Sequence, residues 1–373
     1  MRYLFVSTNV STAYGGSEVL WSKSAEVLGR DGAEVACEVQ WFPVEGPHTS
    51  RLREMGVKVH WRRRTNWSRR IERLRSKVGP SGTSAAFREP WDLVVISEGI
   101  FGEAASWAEQ CLRCGLRYVL ITQAASESWP IVDDRLSSVA DAVNGAERAF
   151  FVSRANLDLA RAQIAEPIEH GEVVQNPFNV SPTAAPAWPD TDPSHELRLA
   201  CVARLDVAAK GQDILLEVMS MPKWRKRALS LSFFGRGAQQ TLLRKLAERH
   251  GLERVTWGGY AGDIEAVWEK HHALLLASRF EGLPLALVEA MLCGRAAVVT
   301  DVAGNTEMVE DGVSGFVAEA ATVRHVDAAL ERAWSARGEL RAMGRAAAKS
   351  ARARVPVDPV AVFSKRLAEV ASA

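Results

Sequence analysis

The sequence predicts an α/β protein built from two parallel-sheet domains, and three observations carry that expectation. Short buried runs alternate with amphipathic stretches through the first half, as βαβ units require. The alternation then breaks at "VSPTAAPAWPDTDPS" (180–194), rich in Pro, Ala and Asp, which reads as a linker, and it restarts beyond. A chain of 373 residues is also too long for one ordinary core and suits two.

In the first half, "RYLFVS" (2–7), "AEVACEV" (33–39), "DLVVIS" (92–97), "RYVLIT" (117–122) and "RAFFVS" (148–153) read as buried strands. Between the first two, Val19, Leu20, Ala25 and Leu28 recur near helical spacing over 17–30. In the second half the strands are "LRLACVA" (197–203), "LSLSFFG" (229–235), "RVTWGG" (254–259), "HALLLAS" (272–278) and "AAVVT" (296–300). From Ala320 onward no strand is expected, only helices over 323–336, 338–353 and 359–370. The boundaries that follow are 1–180, a linker at 181–195, and 196–356. Open parallel sheets take ligands at the carboxyl ends of their strands, so function is expected there, in a cleft between the domains.

Composition narrows the classes. The formal net charge is +1, with 47% hydrophobic and 24% charged residues, which suits a soluble globular protein and gives no reason to expect a nucleic-acid partner. The opening "MRYLFVSTN" has too short an apolar run for a signal peptide, and no stretch reaches the roughly 18 apolar residues of a membrane span. Five scattered cysteines argue against a disulfide framework and for a cytoplasmic location. Cys111 and Cys114 form a C-x-x-C, but no second pair or histidine cluster completes a zinc site.

Four stretches carry chemistry. "YGGSE" places Gly15 and Gly16 after the first strand and before a helix that Ser17 could cap, where backbone can approach an anion closely. A flexible turn would use the same glycines. "ARLDVAAKG" sets Arg204 and Lys210 behind a strand, where a fork and a point charge suit a diphosphate, although isolated surface charges are commoner. "FFGRG" offers Gly235 and Gly237, only part of a dinucleotide fingerprint. In "EGLPLALVEAM", Pro284 marks a helix start. Glu281 then lies in the loop before the helix and Glu289 on its second turn. The free amides near Leu285 and Ala286 favour an anion. Two glutamates eight apart could suggest a glycosidase-like acid and base, or mere dipole stabilisation of the helix start.

Together these stretches, with "GRAAVVTDVAGNTEMVEDGVSGFV" and the terminal helices, resemble a family 4 glycosyltransferase of the GT-B fold. The resemblance covers most of the chain. It implies two Rossmann-like β/α/β domains facing a central cleft, with the last helix, 357–373, crossing back to the first domain. It implies a nucleoside-diphosphate sugar held mainly by the second domain and a saccharide, lipid-linked or small-molecule acceptor held by the first. By position, Arg204 and Lys210 would neutralise the diphosphate, Glu289 would bind the ribose and Glu281 the donor sugar. Gly282, Leu283, Pro284 and Leu285 would line the donor loop, Gly15 and Gly16 would close on the phosphates, and Gly235 would flank them. Tyr260 would approach the base. Transfer would retain anomeric configuration and need no metal or other cofactor, in polysaccharide, lipid-linked glycan or glycoconjugate assembly. A nucleotide-sugar epimerase of the same fold and a catalytically silent nucleotide-sugar-binding protein are the alternatives.

The sequence departs from the family at "YVLITQAASESW", where many relatives carry histidine and this chain carries Gln123. Glutamine can position a hydroxyl but cannot act as a base, so that role falls to Glu127, to another group or to none. The Arg204-to-Lys210 spacing is also one residue longer than the commonest form. Finally, 51–78 is basic, carries Trp61 and Trp67, and has a weak helical stripe at Ile71, Leu74 and Val78. It reads as a peripheral contact with an anionic membrane at the inner face of the cell membrane, as a site for an anionic soluble acceptor, or as a plain solvated face.

Overall fold

The computed structural model describes residues 1–10, 13–63 and 84–373. The chain divides into two compact units, Met1–Pro177 with Asp358–Ala373, and Phe178–Val357. Each carries one parallel sheet, as the alternation predicts.

The first sheet contains β1 (Arg2–Ser7), β2 (Glu34–Gln40), β3 (Lys58–Arg62), β4 (Leu93–Glu98), β5 (Tyr118–Thr122), β6 (Arg148–Phe151) and β7 (Gly171–Val173), in the order β3-β2-β1-β4-β5-β6-β7. Successive side chains of a strand face opposite ways. Leu4, Val6, Val94 and Ile96 therefore pack one face, and Tyr3, Phe5, Leu93 and Val95 the other. Both faces are covered by helices, which is why these strands read as nearly continuous apolar runs.

The second face is covered by helix Gly16–Arg30 through Leu20, Trp21, Ala25 and Leu28, and by helix Pro359–Ser372 through Phe363, Leu367 and Val370. Phe363 meets Phe150 edge-on at 5.1 Å between ring centroids. Arg366 grips Glu172 at 2.5 and 2.9 Å, and Arg117 donates to the Val370 carbonyl at 2.9 Å. Burying Phe363 and Leu367 contributes roughly 1.5–3 kcal/mol each, so this terminal helix is an integral part of the first unit.

The second sheet contains β8 (Leu197–Val202), β9 (Leu229–Phe234), β10 (Val255–Gly259), β11 (Ala273–Leu275), β12 (Ala296–Thr300) and β13 (Gly315–Ala318), in the order β10-β9-β8-β11-β12-β13. A single core cluster surrounds it, including Leu199, Leu231, Leu274, Val298 and Leu330.

The stretch read as a linker differs from expectation. Residues 181–195 belong to the second unit, with Ala184 buried in its core. Arg295 donates to the Ala187 carbonyl at 2.5 Å and stacks its guanidinium over Trp188 at 5.0 Å. Arg352 donates to the Ala184 carbonyl at 2.7 Å. Pro and Asp deny this stretch regular structure without denying it a packed path, because Arg side chains satisfy its carbonyls.

Three strands were not expected from sequence. β7 (GEV) and β13 (GFVA) are three and four residues long and each opens on glycine, without the longer apolar run that marks the equally short β6 and β11. β3 is an edge strand, "KVHWR", whose charges suit an exposed edge and hide it in the basic segment. Within that segment Arg51 pairs with Glu26 at 2.8 Å, Arg53 with Glu45 at 3.1 Å, and Lys58 of β3 with Glu89. Trp67, Ile71, Leu74 and Val78 lie outside the described residues. No helix among the described residues is long and apolar enough to cross a membrane. Cys111 and Cys114 share helix Ala105–Cys114 as free thiols, the first buried and the second exposed.

Candidate functional site

An open parallel sheet offers a crevice where its strand order reverses. In the second sheet that point lies between β8 and β11. The segments leaving these two strands carry Arg204 and Glu281, and local geometry draws them together.

Behind β8, Asp206 caps the short helix Val207–Lys210 by accepting from the Ala209 amide at 3.4 Å. The same Asp206 holds Arg204 Nη2 at 2.8 Å. Gly211 then turns the chain at φ +60°, a conformation that favours glycine. A Cβ there would stand 2.0 Å from the Ala277 carbonyl oxygen, so only glycine lets the two segments touch. They are tied further by the Arg279 amide donating to Ala209 O at 2.8 Å, and by the Arg279 fork on Asp213 at 2.7 and 2.8 Å.

The result is a compact polar cluster. Lys210 Nζ lies 2.6 Å from both Glu281 oxygens. Ser278 Oγ donates to Glu281 Oε1, also at 2.6 Å. Glu281 is buried, whereas the Arg204 side chain is 48% exposed, so its guanidinium is open to a solvent-borne anion. Gln212 Nε2 pins the Arg204 carbonyl at 2.7 Å.

Gly282 accepts from the Gly304 amide at 3.0 Å, and the loop continues through Leu283 to Pro284, which caps helix Leu285–Leu292. The Leu285 and Ala286 amides, which precede the first intrahelical bonds, make no hydrogen bond among the described residues. Glu289 lies on this helix, 3% exposed. Its Oε1 accepts from the Asn179 amide and from Asn179 Nδ2, both at 2.9 Å, while Oε2 has no partner among the described residues. Burial raises its pKa, and the two Asn179 bonds oppose the rise.

Other expected residues do different work. Gly235 has φ +138°, and a Cβ there would lie 2.0 Å from Ala203 O. Its amide donates to Gly259 O at 2.6 Å. Gly237 would clash likewise with Leu205 O at 2.2 Å. These glycines let the segment after β9 press against the segment after β8. Tyr260 follows β10, two strands from β8, and is 71% exposed.

Gly15, Gly16 and Gln123 belong to the first unit. The helix there begins at Gly16 with Gly15 as its extended N-cap and no side-chain cap. Ser17 is therefore not the cap it was expected to be, and its hydroxyl donates instead to Glu18 Oε1 at 3.3 Å. Gln123 follows β5, 7% exposed. Its Oε1 accepts from Asn176 Nδ2 at 2.7 Å, and its buried Nε2 lacks a partner among the described residues. Beneath it, Glu98 at the end of β4 accepts from Thr122 Oγ1 at 2.6 Å and the Ala104 amide at 2.8 Å. Burial pushes the Glu98 carboxyl up to about 7.

Sequence reasoning missed Asn179, Ser278, Asp206 and the Arg279–Asp213 clamp. Ser278 closes a strand-like run and so was within reach, but Asn179 meets a glutamate 110 positions later, which no local pattern announces.

Fold and site together define a class: a protein of the GT-B fold, with two Rossmann-like units and a polar cluster of paired charges at the switch point of the second. Residues 196–335 match the family of group 1 glycosyl transferases. Among curated proteins, the Vi polysaccharide biosynthesis protein VipC/TviE of Salmonella typhi is 35% identical over 96 residues, which cover 26% of this chain and 17% of that one. The putative glycosyltransferase EpsD of Bacillus subtilis is 31% identical over 109 residues, covering 29% of each. The chain thus spans less than a third of the length of these two relatives. Among solved structures, Anabaena Alr3699/HepE in complex with UDP superposes with a TM-score of 0.73 at 20% identity, covering both chains fully. TarM of S. aureus, solved with UDP and saccharide ligands, gives 0.71 at 10% identity with the same full coverage.

Proposed function

We propose that the chain is a retaining glycosyltransferase that moves a sugar from a nucleoside diphosphate to an acceptor hydroxyl without a metal, in polysaccharide, lipid-linked glycan or glycoconjugate assembly. The observation that carries it is the Lys210–Glu281–Ser278 cluster beside the open Arg204, at the reversal point of the second sheet. Departure of the diphosphate places negative charge on its oxygens. Cations and amides fixed in advance then stabilise the transition state more than the ground state.

In this reading Arg204, Lys210 and the amides of Leu285 and Ala286 receive the diphosphate, which is the task a divalent cation would otherwise perform. Glu289 Oε2 accepts from the ribose hydroxyls, with Oε1 anchored by Asn179. Glu281 trades part of its hold on Lys210 for hydroxyls of the donor sugar. Gly15 and Gly16 contact the phosphates, Gln123 positions a hydroxyl, and Tyr260 meets the base. The match of 196–335 to group 1 glycosyl transferases and the relatives' names support the activity.

A thermal-shift screen of UDP, GDP, ADP and their sugars, followed by turnover of the hit with candidate acceptors, tests the reading. Stabilisation by one nucleotide family, and acceptor-dependent release of that nucleotide unaffected by EDTA, are expected. The anomeric proton coupling of the product reads retention directly. Conversion of donor alone into an epimer would mark the epimerase instead, and binding without turnover the silent protein.

A further inference from the structure

The second unit has a cavity at the opposite end of its sheet from the cluster around Glu281. It measures about 150 Å³, the size of hole that holds a benzene-sized guest, and it opens where β9 and β10 begin, at Leu229 and Val255. A six-residue strand such as β9 runs roughly 17 Å from end to end, and none of the residues assigned above lines this cavity. Met219, Trp224 and Leu229, all buried, form its floor, while Arg225, Glu253 and Arg254 stand exposed at its rim.

The stretch "KWRKR" over 223–227 looks like one solvated basic run, but its charges sort into two sets. Residues four apart share a helix face. On one side of helix Pro222–Lys226 and the residue after it, Lys223 reaches Asp327 at 2.9 Å and Arg227 forks on Glu331 at 2.7 and 2.8 Å. Trp224 Nε1 donates to the same Asp327 at 2.6 Å. Helix Val323–Ser335 thus neutralises those two cations. Arg225 instead reaches the turn after helix Gln240–Arg249, where its Nη2 lies 3.5 Å from where a Cβ on Gly251 would sit. Arg254 Nη1 donates to the Arg227 carbonyl at 2.7 Å, which sets a second guanidinium at the same rim. Among the described residues no carboxylate pairs with either arginine, and the Glu253 side chain has no partner.

Two guanidiniums and one carboxylate leave the rim at a charge that one further carboxylate neutralises and a phosphate dianion would overshoot. The guanidinium fork also matches the two oxygens of a carboxylate. Exposed ion pairs contribute little by themselves, so the buried floor must add the attraction of a short hydrocarbon body. We propose that this cavity is a binding site for a small monocarboxylic acid, its carboxylate between Arg225 and Arg254 and its hydrocarbon on Met219, Trp224 and Leu229. The site is independent of the transferase reading.

Ligand-observed NMR titration of the full chain tests it, with 3-methylbutanoate and benzoate as probes. At least one should bind with a dissociation constant of about 1 mM or tighter, and equally well in the presence of UDP, GDP or ADP. Formate, which lacks the body, inorganic phosphate and the uncharged amides of the two acids should each bind about tenfold more weakly or worse. Arg225→Gln and Arg254→Gln, both at exposed positions, should each weaken the acid about fivefold, and together about tenfold or more. Arg204→Gln should leave its binding unchanged. No binding of either acid, equal binding of formate, phosphate or the amides, or unaltered binding by the double variant would overturn the proposal. Displacement by a nucleoside diphosphate, or loss of binding in Arg204→Gln, would also overturn it by moving the acid to the cluster around Glu281.

Discussion

Lys210→Met separates the two consequences of the central cluster. It leaves the Glu281 carboxylate, only 6% exposed, with Ser278 as its remaining partner. Removing one partner of a buried pair costs about 3–5 kcal/mol. The Lys210 side chain is 20% exposed, so water replaces part of the lost attraction and about 2–3 kcal/mol is expected. For a unit of 180 residues, 178 through 357, each kcal/mol moves the midpoint by about 2–4 °C. The shift should therefore be about 4–12 °C in calorimetry. Glu281→Gln on the Lys210→Met background neutralises the orphaned charge and should restore most of that loss, a coupling of about 1–2 kcal/mol in the double-mutant cycle. Nucleoside-diphosphate affinity should fall separately by about 10–100-fold, as for one charge-assisted bond, and Glu281→Gln should not restore it. An unchanged melting point with unchanged affinity, or a strictly additive cycle, would refute the assignment of Lys210 to both tasks.

The other predictions touch the supports of the site. Gly211→Ala should destabilise the second unit by about 2 kcal/mol or more, because its Cβ meets Ala277 O at φ +60°; wild-type urea stability would remove the argument. Glu289→Gln should weaken nucleoside diphosphates about tenfold and leave pyrophosphate unaffected in calorimetry, since only the former present ribose hydroxyls. Glu98 titrates near 7 when folded against 4.5 when exposed. The folded state thus binds the extra proton between those values, and stability should fall as pH rises across that window, by up to about 3 kcal/mol. Glu98→Gln should flatten this dependence, and an unaltered pH profile would remove Glu98 as its source.

The parts of this molecule that could be read in advance are those where a local rule acts alone. β1, β4, β5 and β12 are buried on both faces, and their unbroken apolar runs follow from that burial. Pro284 before helix Leu285–Leu292 is a local cap, and it placed Glu281 and Glu289 in two environments rather than one. The difference matters chemically. Glu281 is held in a charge pair with Lys210, while Glu289 has no cation partner among the described residues and one oxygen committed to Asn179, and burial raises its pKa. A glycosidase couple would need both carboxyls to face one bond, and these two serve different partners.

What could not be read depends on pairings between distant segments. "FFGRG" looks like part of a phosphate loop, yet Gly235 and Gly237 are small because the carbonyls of Ala203 and Leu205 pass within 2.2 Å of where a Cβ would sit. A glycine records that something comes close without recording what. The proline-rich stretch 181–195 fails in the same way, since composition forbids helix and strand there but says nothing of Arg295 and Arg352, which fasten it from over 100 positions away. Gln123 shows where the two kinds of signal meet. The departure from histidine is visible in sequence, but only the fold reveals that its Oε1 is taken by Asn176 and its Nε2 is buried without a partner. The residue type is a local fact of the chain, whereas an unmade buried donor is a property of the packing around it, and no sequence pattern announces it.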